Sequence, residues 1–470
     1  MTGAPEQEIH QTLADPRLQL AIYTATRRLI DHRAGVVNPG VLPHYQELRT
    51  QANAIKRHTI ENLDHYLEQL ESNVVAHGGK VVFCRNGGEV TDFVLGLAKE
   101  RKARIIVKSK SMTSEEIHFN EHLERHELEA VETDLGEYLL QLAHQRPYHI
   151  VAPALHMTRD DVADILTEKL GVEKEVVIEK QTKIARGVLR RKFLEADIGV
   201  SGANFLVADS GAIVVVENEG NARLSTSAPK IHIAIAGIEK VIPRAQDLAV
   251  FLNLLGRSAT GQPLTSYTSF LSGPRRPGEV DGPDEFYLLL LDNGRTKLLA
   301  DEDKRQSLYC IRCGACLNHC PVYRKIGGHN YPWVYSGPIG AIITPQFQGV
   351  KKDTWLPFAS SLCGACAEVC PVKIEIPKLL IKLREETTEA RKRAGSGRLE
   401  RLGFRLFAWV MAHPKIYRVL ARLGAKVTPA PPAIGPLRQW ASQRELPRLA
   451  KQDFRQLWAA RLAHKGKVSQ

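Results

Sequence analysis

Lys80-Val81-Val82-Phe83-Cys84 begins a series of short apolar runs, each followed by a segment whose apolar residues have helical spacing. The later runs are Ile105-Ile106-Val107, Ala130-Val131-Glu132 and His149-Ile150-Val151-Ala152, and the helical segments are 90–101, 114–128, 135–144 and 158–170. Strand-like runs that alternate with helices at this period are typical of a parallel sheet with helices packed on its faces. We therefore predict an α/β fold, with a strand in each of the four runs.

Further predicted elements lie on both sides of this region. Residues 16–72 have near-helical spacing with a break at Asn38-Pro39-Gly40, which predicts a helical arm. A helix is predicted at 182–194, and strands at 231–235 and 287–291. Two more strands, at 199–207 and 212–216, are joined by a tight turn at 208–211 and would add an antiparallel pair to the sheet.

The composition and charge distribution limit the classes of function. A chain of 470 residues, 43% apolar and 25% charged, is long enough for two or three domains. From Arg391 to the C-terminus there are 18 Lys and Arg residues against three acidic ones, so the first 390 residues carry 46 basic and 49 acidic side chains. This nearly neutral body argues against nucleic-acid binding, and the basic C-terminal segment is the part that needs a partner.

The sequence also predicts a cytoplasmic location. Residues 1–15 are polar and lack the basic start and apolar run of a secretory signal. The longest apolar stretch of the C-terminal segment, Leu406 to Ala412, is seven residues, against the roughly 20 of a membrane helix. Eight cysteines in a chain without an export signal indicate metal or redox chemistry rather than disulfides.

Seven of the cysteines form two runs. The first is Cys310-x-x-Cys313-x-x-Cys316-x-x-x-Cys320-Pro321, the cluster-binding pattern of bacterial-type ferredoxins. In that pattern three thiolates bind one [4Fe-4S] cluster and the fourth binds the neighbouring cluster. Small residues such as Gly314 allow the backbone to wrap closely around a cluster.

The second run, Cys363-x-x-Cys366-x-x-x-Cys370-Pro371, has Ser360 where a complete pattern has its first cysteine. In this pattern the last cysteine of each run binds the cluster of the other run, which we call the exchange rule. By this rule, cluster 1 is bound by Cys310, Cys313, Cys316 and Cys370, and cluster 2 by Cys320, Cys363 and Cys366. The fourth iron of cluster 2 is then held by Ser360, by another residue or by water, or is lost to leave a three-iron cluster. Zinc is the alternative, but seven thiols fit poorly with tetrahedral sites that need four or eight.

Other features are weaker indications. Cys84 ends an apolar strand and is interpreted as a buried small hydrophobe. His118, His122 and His126 recur at helical spacing among acidic residues, which favours a solvated face over a metal site. Asn86-Gly87-Gly88 and Ser109-Lys110-Ser111 follow strands, where anions bind in open α/β sheets, but tight turns explain them equally well. The polar loop from Glu217 to Asn221 is a modest indication of an anion or partner site.

Several motifs together resemble a known family. Ser201-Gly202-Ala203-Asn204-Phe205, the turn at Ala208-Asp209-Ser210-Gly211 and the loop at Glu217-Asn218-Glu219-Gly220-Asn221 resemble the lactate-utilisation (LUD) domain, and the tandem cysteine runs resemble those of the lactate-utilisation protein B family. The resemblance implies an α/β domain related to sugar-phosphate isomerases and CoA transferases, two [4Fe-4S] clusters, and the absence of a cysteine at position 360 as the family's usual state. It further implies an electron carrier in the oxidation of L-lactate to pyruvate. The implied partners are a Cys-Cys-Gly-type iron-sulfur subunit and a smaller LUD-domain protein.

These observations predict four segments: a helical arm at 1–72, a lactate-utilisation α/β domain at 73–294, a two-cluster ferredoxin-type module at 295–390 and a basic helical segment at 391–470. Three functions remain open: an electron relay, an α/β domain that itself binds lactate or a flavin, and a scaffold held by its clusters. Apolar residues at helical spacing predict two short amphipathic helices with a break near Pro414. These residues are Leu399, Leu402, Leu406, Val410, Ile416, Leu420 and Leu423. Those helices would pack on the protein's own body, on a partner subunit or on an anionic membrane surface.

Overall fold

The computed structural model describes residues 5–395, 397–427, 450, 452 and 454–468. Its contacts divide the chain into two compact units that meet between Thr388 and Glu389. The larger unit contains the N-terminal helices, two sheets and both cysteine runs. The four predicted segment boundaries remain predictions.

The N-terminal part is helical, with α1 (Glu6–Ala14), α2 (Pro16–Val37), α3 (Tyr45–Glu61) and α4 (Leu63–Ala76). The Asp15 carboxylate accepts the backbone N–H groups of Arg17 and Leu18, and Pro16 occupies the first turn, which together fix the start of α2. The helix ends at the predicted Asn38-Pro39-Gly40 break, which is confirmed.

The strands are β1 (Lys80–Cys84), β2 (Ile105–Lys108), β3 (Glu129–Glu132), β4 (Ile198–Ser201), β5 (Phe205–Val207), β6 (Ala212–Glu217), β7 (Ile231–Gly237), β8 (Val241–Ile242), β9 (Tyr267–Leu271) and β10 (Glu285–Leu291). Among the described residues, six of them form a sheet in the order β1-β10-β7-β4-β2-β3. All neighbours in this sheet are parallel, so the predicted parallel α/β sheet is confirmed.

The remaining helices of the larger unit are α5 (Gly87–Arg101), α6 (Met112–Glu116), α7 (Phe119–Glu124), α8 (Leu135–Leu142), α9 (Arg159–Leu170), α10 (Ile178–Glu195), α11 (Asn221–Ser227), α12 (Ala245–Ala259), α13 (Arg295–Leu299), α14 (Ala315–His319), α15 (Tyr323–Ile326), α16 (Gly337–Gln348), α17 (Ala365–Glu368) and α18 (Ile376–Arg393), the last of which crosses the unit boundary. Short 3-10 turns occur at Ile238–Lys240, Arg305–Tyr309 and Leu356–Phe358. Alternate residues of β10 face opposite sides of the sheet, so that Leu289 and Leu291 pack with α5 while Leu288 and Leu290 pack with α4. Both faces are therefore covered, as a parallel sheet requires.

The predicted strand at 199–207 was wrong in its extent. Residues 202–204 separate β4, which belongs to the parallel sheet, from β5, which belongs to a second sheet with the order β8-β5-β6-β9. A Cβ on Gly202 would lie 2.9 Å from Oγ of Ser111, so the chain passes close to the loop after β2 before it changes sheets. The β5–β6 hairpin itself is antiparallel, as predicted, but it does not extend the parallel sheet.

Two other local predictions were also wrong. The helix expected at 114–128 is broken between α6 and α7, because His118 adopts a left-handed conformation with φ of 54°. The strand expected at 149–152 is a loop, since Nδ1 of His149 accepts the backbone N–H groups of Val151 and Ala152 at 3.1 Å each. These side-chain hydrogen bonds replace the bonds that a sheet would supply.

The smaller unit contains α19 (Arg398–Ala412), α20 (Pro414–Val427) and α21 (Phe454–Val468). The predicted break near Pro414 separates α19 from α20 and is confirmed. No residue of α19 is buried, and Leu399, Phe404 and Trp409 are exposed. No helix in the described part of the chain is long and apolar enough to span a membrane.

Candidate cluster-binding site

Four cysteines from both runs surround one buried cavity. Its walls include Cys310, Cys313 and Cys316 from the first run and Cys370 from the second. Most of the remaining wall is apolar, formed by Ile150, Ile311, Ile339, Val372, Ile374 and Ile376. These are the four residues that the exchange rule assigned to cluster 1.

The backbone around these cysteines donates hydrogen bonds to sulfur. The N–H of Arg312 lies 3.4 Å from Sγ of Cys310, and the N–H of Ile374 lies 3.3 Å from Sγ of Cys370. Arg312 and Gly314 both have positive φ, which turns the loop tightly around the cavity. Hydrogen bonds to sulfur are among the features that tune an iron-sulfur cluster.

The loop at 148–152 covers this cavity on one side. Ile150 lines it, and a Cβ on Gly314 would lie 3.1 Å from both Cε1 of His149 and Cγ2 of Val151. The hydroxyl of Tyr323 donates a hydrogen bond of 2.8 Å to the carbonyl oxygen of Tyr148. The segment that was expected to be a strand thus joins the α/β part of the chain to the first cysteine run.

The other three cysteines, Cys320, Cys363 and Cys366, form a second group. Cys320 follows α14, which packs against α17, the helix that contains Cys366. Burial, together with the nearby charges of Cys320 and Cys363, raises the pKa of the Cys366 thiol to about 12. Cys320 is buried and accepts the N–H of Tyr323 at 3.4 Å, whereas Cys363 is exposed. The second group therefore reaches the protein surface.

The residues present fit a two-cluster assignment. Each group combines cysteines from both runs, and the cavity of the first is lined by thiols and apolar side chains. Among the described residues, no three His, Cys, Asp or Glu side chains are arranged to hold a single metal ion.

A buried charged network lies beside the first group and was not anticipated from the sequence. Arg295 is fully buried and pairs with Glu116 at 2.9 Å and with Glu239 at 2.5 Å. The hydroxyl of Tyr335 donates to the same Glu116 carboxylate at 2.7 Å. Glu116 ends α6, Glu239 follows β7 and Arg295 follows β10, so the network occupies the carboxyl edge of the parallel sheet, where open α/β proteins bind ligands.

This network has more buried cations than anions. Lys56 and Lys240 are buried with Arg295 and Arg312, and against them stand Glu116 and Glu239. Burial alone would raise the pKa of Glu239, but the charges of Arg295, Arg312 and Lys240 lower it to about 2. Burial lowers the pKa of Lys56 to about 7 and that of Lys240 to about 8. An anionic group in the neighbouring cavity would balance the excess positive charge.

The sequence holds a signal for part of this network, although not for the pair of Arg295 with Glu116. Glu239 and Lys240 interrupt an apolar run from Ile231 to Ile242, and Arg312 stands inside the first cysteine run. Charged residues in such positions are rarely buried unless they are paired.

The helical arm donates hydrogen bonds to the backbone at the end of the second cysteine run. Nε of Arg49 donates to the carbonyl oxygen of Cys370 at 2.9 Å, and Nδ2 of Asn53 donates to that of Val372 at 2.7 Å. Both donors lie on α3. The arm is thus part of the environment of the cysteine cavity.

The weaker sequence features have structural roles. Asn86 caps α5 and Ser111 caps α6 through their side-chain oxygens. The Glu217 carboxylate accepts the N–H groups of Ala222 and Arg223 at the start of α11. The break at His118 means that the three histidines do not share one helix, and Cys84 is buried, as expected.

Comparisons with known proteins place these features in one family. Residues 67–291 match the LUD domain, residues 306–374 a 4Fe-4S dicluster domain, and residues 382–463 the C-terminal domain of lactate utilisation protein B. A lactate utilization protein B of Bacillus licheniformis is 43% identical and covers 98% of this chain and 97% of its own. The chain belongs to the lactate utilisation protein B family. The resemblance drawn from the motifs is confirmed, and the dicluster match identifies an iron-sulfur protein.

Other members of the family show the same extent of similarity. The protein of Shouchella clausii is 42% identical over 98% of both chains, and that of Geobacillus kaustophilus is 44% identical over 91% of both.

A solved DUF162 family protein of Deinococcus radiodurans covers 49% of this chain and 98% of its own, at 10% identity and a TM-score of 0.27.

Proposed function

We propose that this protein carries electrons in the oxidation of L-lactate to pyruvate, and that it holds two [4Fe-4S] clusters. The observation that carries the proposal is the division of seven cysteines into two adjacent groups, each drawn from both runs. The names of the relatives supply the lactate part of the proposal.

In this proposal cluster 1 is held by Cys310, Cys313, Cys316 and Cys370, and cluster 2 by Cys320, Cys363 and Cys366. A [4Fe-4S] cluster accepts and releases one electron at a time. Oxidation of lactate to pyruvate releases two electrons and two protons, so two such centres match the stoichiometry. The exposed Cys363 supports electron exchange with another protein at that edge of the molecule.

The carboxyl edge of the sheet favours a relay over a catalytic α/β domain. At this edge the side chains of Arg295, Glu116, Glu239 and Tyr335 are buried and paired with one another. Arg312 of the first cysteine run adds a further buried group there. Side chains thus fill part of the place where such a fold would bind lactate or a flavin.

The proposed partners are a Cys-Cys-Gly-type iron-sulfur subunit and a smaller LUD-domain protein. The exposed apolar side chains of α19 and α20 support docking, since a basic amphipathic helix is typical of a binding surface.

The test combines cluster content with a lactate-dependent reduction. Anaerobically purified protein is expected to contain seven to eight irons, with matching sulfide and a broad visible absorption. When L-lactate is added, the visible absorption of the oxidised protein should decrease if the two proposed partner subunits are present. The absorption of the isolated chain should not change. Stoichiometric zinc without sulfide would overturn the cluster assignment, and lactate oxidation by the isolated chain would favour the catalytic alternative.

A further inference from the structure

The two cysteine runs repeat one backbone conformation. Arg312, two residues after Cys310, has φ of 59°, and Leu362, two residues after Ser360, has φ of 55°. Gly314 and Gly364 have φ of 83° and 86°. The short helices α14 and α17 then begin at equivalent positions, directly after these glycines. Ser360 therefore occupies the same place in its loop as Cys310 does in the first.

The side chains at these two positions accept the same hydrogen bond. The N–H of Arg312 lies 3.4 Å from Sγ of Cys310, and the N–H of Leu362 lies 3.2 Å from Oγ of Ser360. In the first run this hydrogen bond is made to a sulfur that lines the cysteine cavity. Oγ of Ser360 therefore has the same orientation within the second loop as Sγ of Cys310 has within the first, where Cys310 is a proposed cluster ligand.

The segment that carries Ser360 is held by a single arginine. Nη2 of Arg384 donates to the carbonyl oxygen of Ser360 at 2.8 Å, and Nε donates to that of Pro357 at 2.9 Å. The guanidinium group also lies 5.2 Å from the centre of the Phe358 ring. Three contacts from one side chain restrict the position of the loop and hence of the hydroxyl group.

We propose that Oγ of Ser360 is the fourth protein ligand of the cluster that Cys320, Cys363 and Cys366 hold. This inference rests on the proposed function, because it requires the second cluster. Ligation forms an iron–oxygen bond, breaks the O–H bond and releases the proton to solvent, and no oxidation state changes. The N–H of Leu362 then stabilises the negative charge on the oxygen.

The experiment compares three variants of the full chain, purified without oxygen and enriched in iron-57. Ser360→Ala removes the oxygen, Ser360→Cys completes a four-thiolate set, and Ser361→Ala is the matched control, since Ser361 is the exposed neighbour. Mössbauer spectra of the unchanged protein should contain one iron site with oxygen coordination among about eight. An unchanged protein without such a site would overturn the serine ligand even if a variant failed to fold, and loss of the site in Ser360→Ala distinguishes the serine oxygen from water.

We expect Ser360→Ala to lose one iron per chain and to give a three-iron electron paramagnetic resonance signal after mild oxidation. Ser361→Ala should behave like the unchanged protein. In Ser360→Cys the oxygen-coordinated iron site should disappear while four irons remain in that cluster. The signal of the other cluster serves as the folding control in every variant.

Two results would overturn the ligand assignment alone: a Ser360→Ala protein whose spectra match the unchanged protein, or an unchanged protein whose second cluster has only three irons. A single cluster in the unchanged protein would overturn the proposed function and the serine ligand with it. Iron content thus separates the two failures.

Discussion

Nη2 of Arg312 lies 3.5 Å from Oε1 of Glu239, so a residue between two cysteines of the first run pairs with a residue in the turn directly after β7. The guanidinium group of Arg312 also lies over the Tyr335 ring, 4.5 Å from its centre. This pair connects the proposed electron-carrying site directly to the centre of the parallel sheet. Because the groups are buried, their charges are weakly screened by solvent.

Replacing Arg312 should lower the reduction potential of cluster 1. Arg312→Leu removes a buried positive charge beside Cys310, and an added electron is then less stabilised. At an effective dielectric constant of about 20 the effect is about 1–2 kcal/mol, on the order of 50 mV or more. Leucine is tolerated at the equivalent position 362, so the backbone conformation is retained. Redox titration measures the reduction potential of cluster 1 in each variant. Lys373→Met, which removes a partly exposed charge near Cys370, should shift this potential much less than Arg312→Leu does. Equal shifts in the two variants would contradict this account.

Single cysteine replacements should separate the two clusters by group rather than by run. Replacement by alanine of Cys310, Cys313, Cys316 or Cys370 should abolish one spectroscopic species, and replacement of Cys320, Cys363 or Cys366 should abolish the other. The decisive pair is Cys370 and Cys320, since each belongs to the run that mainly supplies the other cluster. Electron paramagnetic resonance of the reduced variants provides the measurement, and grouping by run would disprove the exchanged ligands.

Gly314→Ala should damage the protein more than Gly364→Ala. Both glycines have left-handed backbone, so both variants lose about 1–2 kcal/mol from strain. Only at Gly314 does the added Cβ also press on His149 and Val151, whereas nothing lies within 4 Å at Gly364. Iron content and the midpoint of thermal unfolding measure the difference. Equal losses would mean that the 148–152 loop does not constrain the first run.

Stability should fall on the acid side of pH 6.5, and His232 should contribute to the fall together with the other buried histidines, His149 and His156. The His232 side chain is fully buried, and its Nε2 forms a hydrogen bond of 2.8 Å with Oγ of Ser201. Burial lowers the pKa of the imidazole to about 3. Between pH 6.5 and 3 the unfolded chain binds a proton that the folded chain does not, so the free energy of unfolding falls by about 1.4 kcal/mol per pH unit. In anaerobic urea titrations at pH 7.5, 6.5 and 5.5, His232→Gln should show a shallower decrease than the unchanged protein. Parallel decreases would show that His232 is not responsible.

Truncation after Glu389 should leave both clusters intact, because the cysteines lie in the compact unit that ends at Thr388. The truncated protein should lose salt-sensitive association with the companion subunits. At 1 M salt the Debye length falls to about 3 Å, so association of the full chain through basic residues should also weaken there. Gel filtration of the mixed subunits at low and high salt measures both effects, with anionic vesicles as a separate sedimentation test of the membrane alternative. Undiminished association, or loss of iron, would show that the basic segment does not act as the docking element.

Features that depend on local spacing could be predicted from the amino-acid sequence alone. Strand and helix periods from Lys80 onward predicted the parallel sheet, since side chains at those periods must face a core. The Cys-x-x-Cys spacing likewise defined two loops, because so short a segment has few ways to present its thiols. The break near Pro414 follows from the missing backbone N–H of proline.

Features that depend on contacts between distant segments are visible only in the folded chain. Residues 149–152 have the composition of a strand, yet the imidazole of His149 binds their backbone, and the loop covers the first cysteine run instead. Gly202 allows the close approach that sends β5 into a second sheet. The pairing of Arg295 with Glu116 joins residues 179 positions apart, and no local pattern could indicate it. Such pairs form only after folding has placed the end of α6 beside the ends of β7 and β10, because a charge is tolerated in the interior only beside its partner.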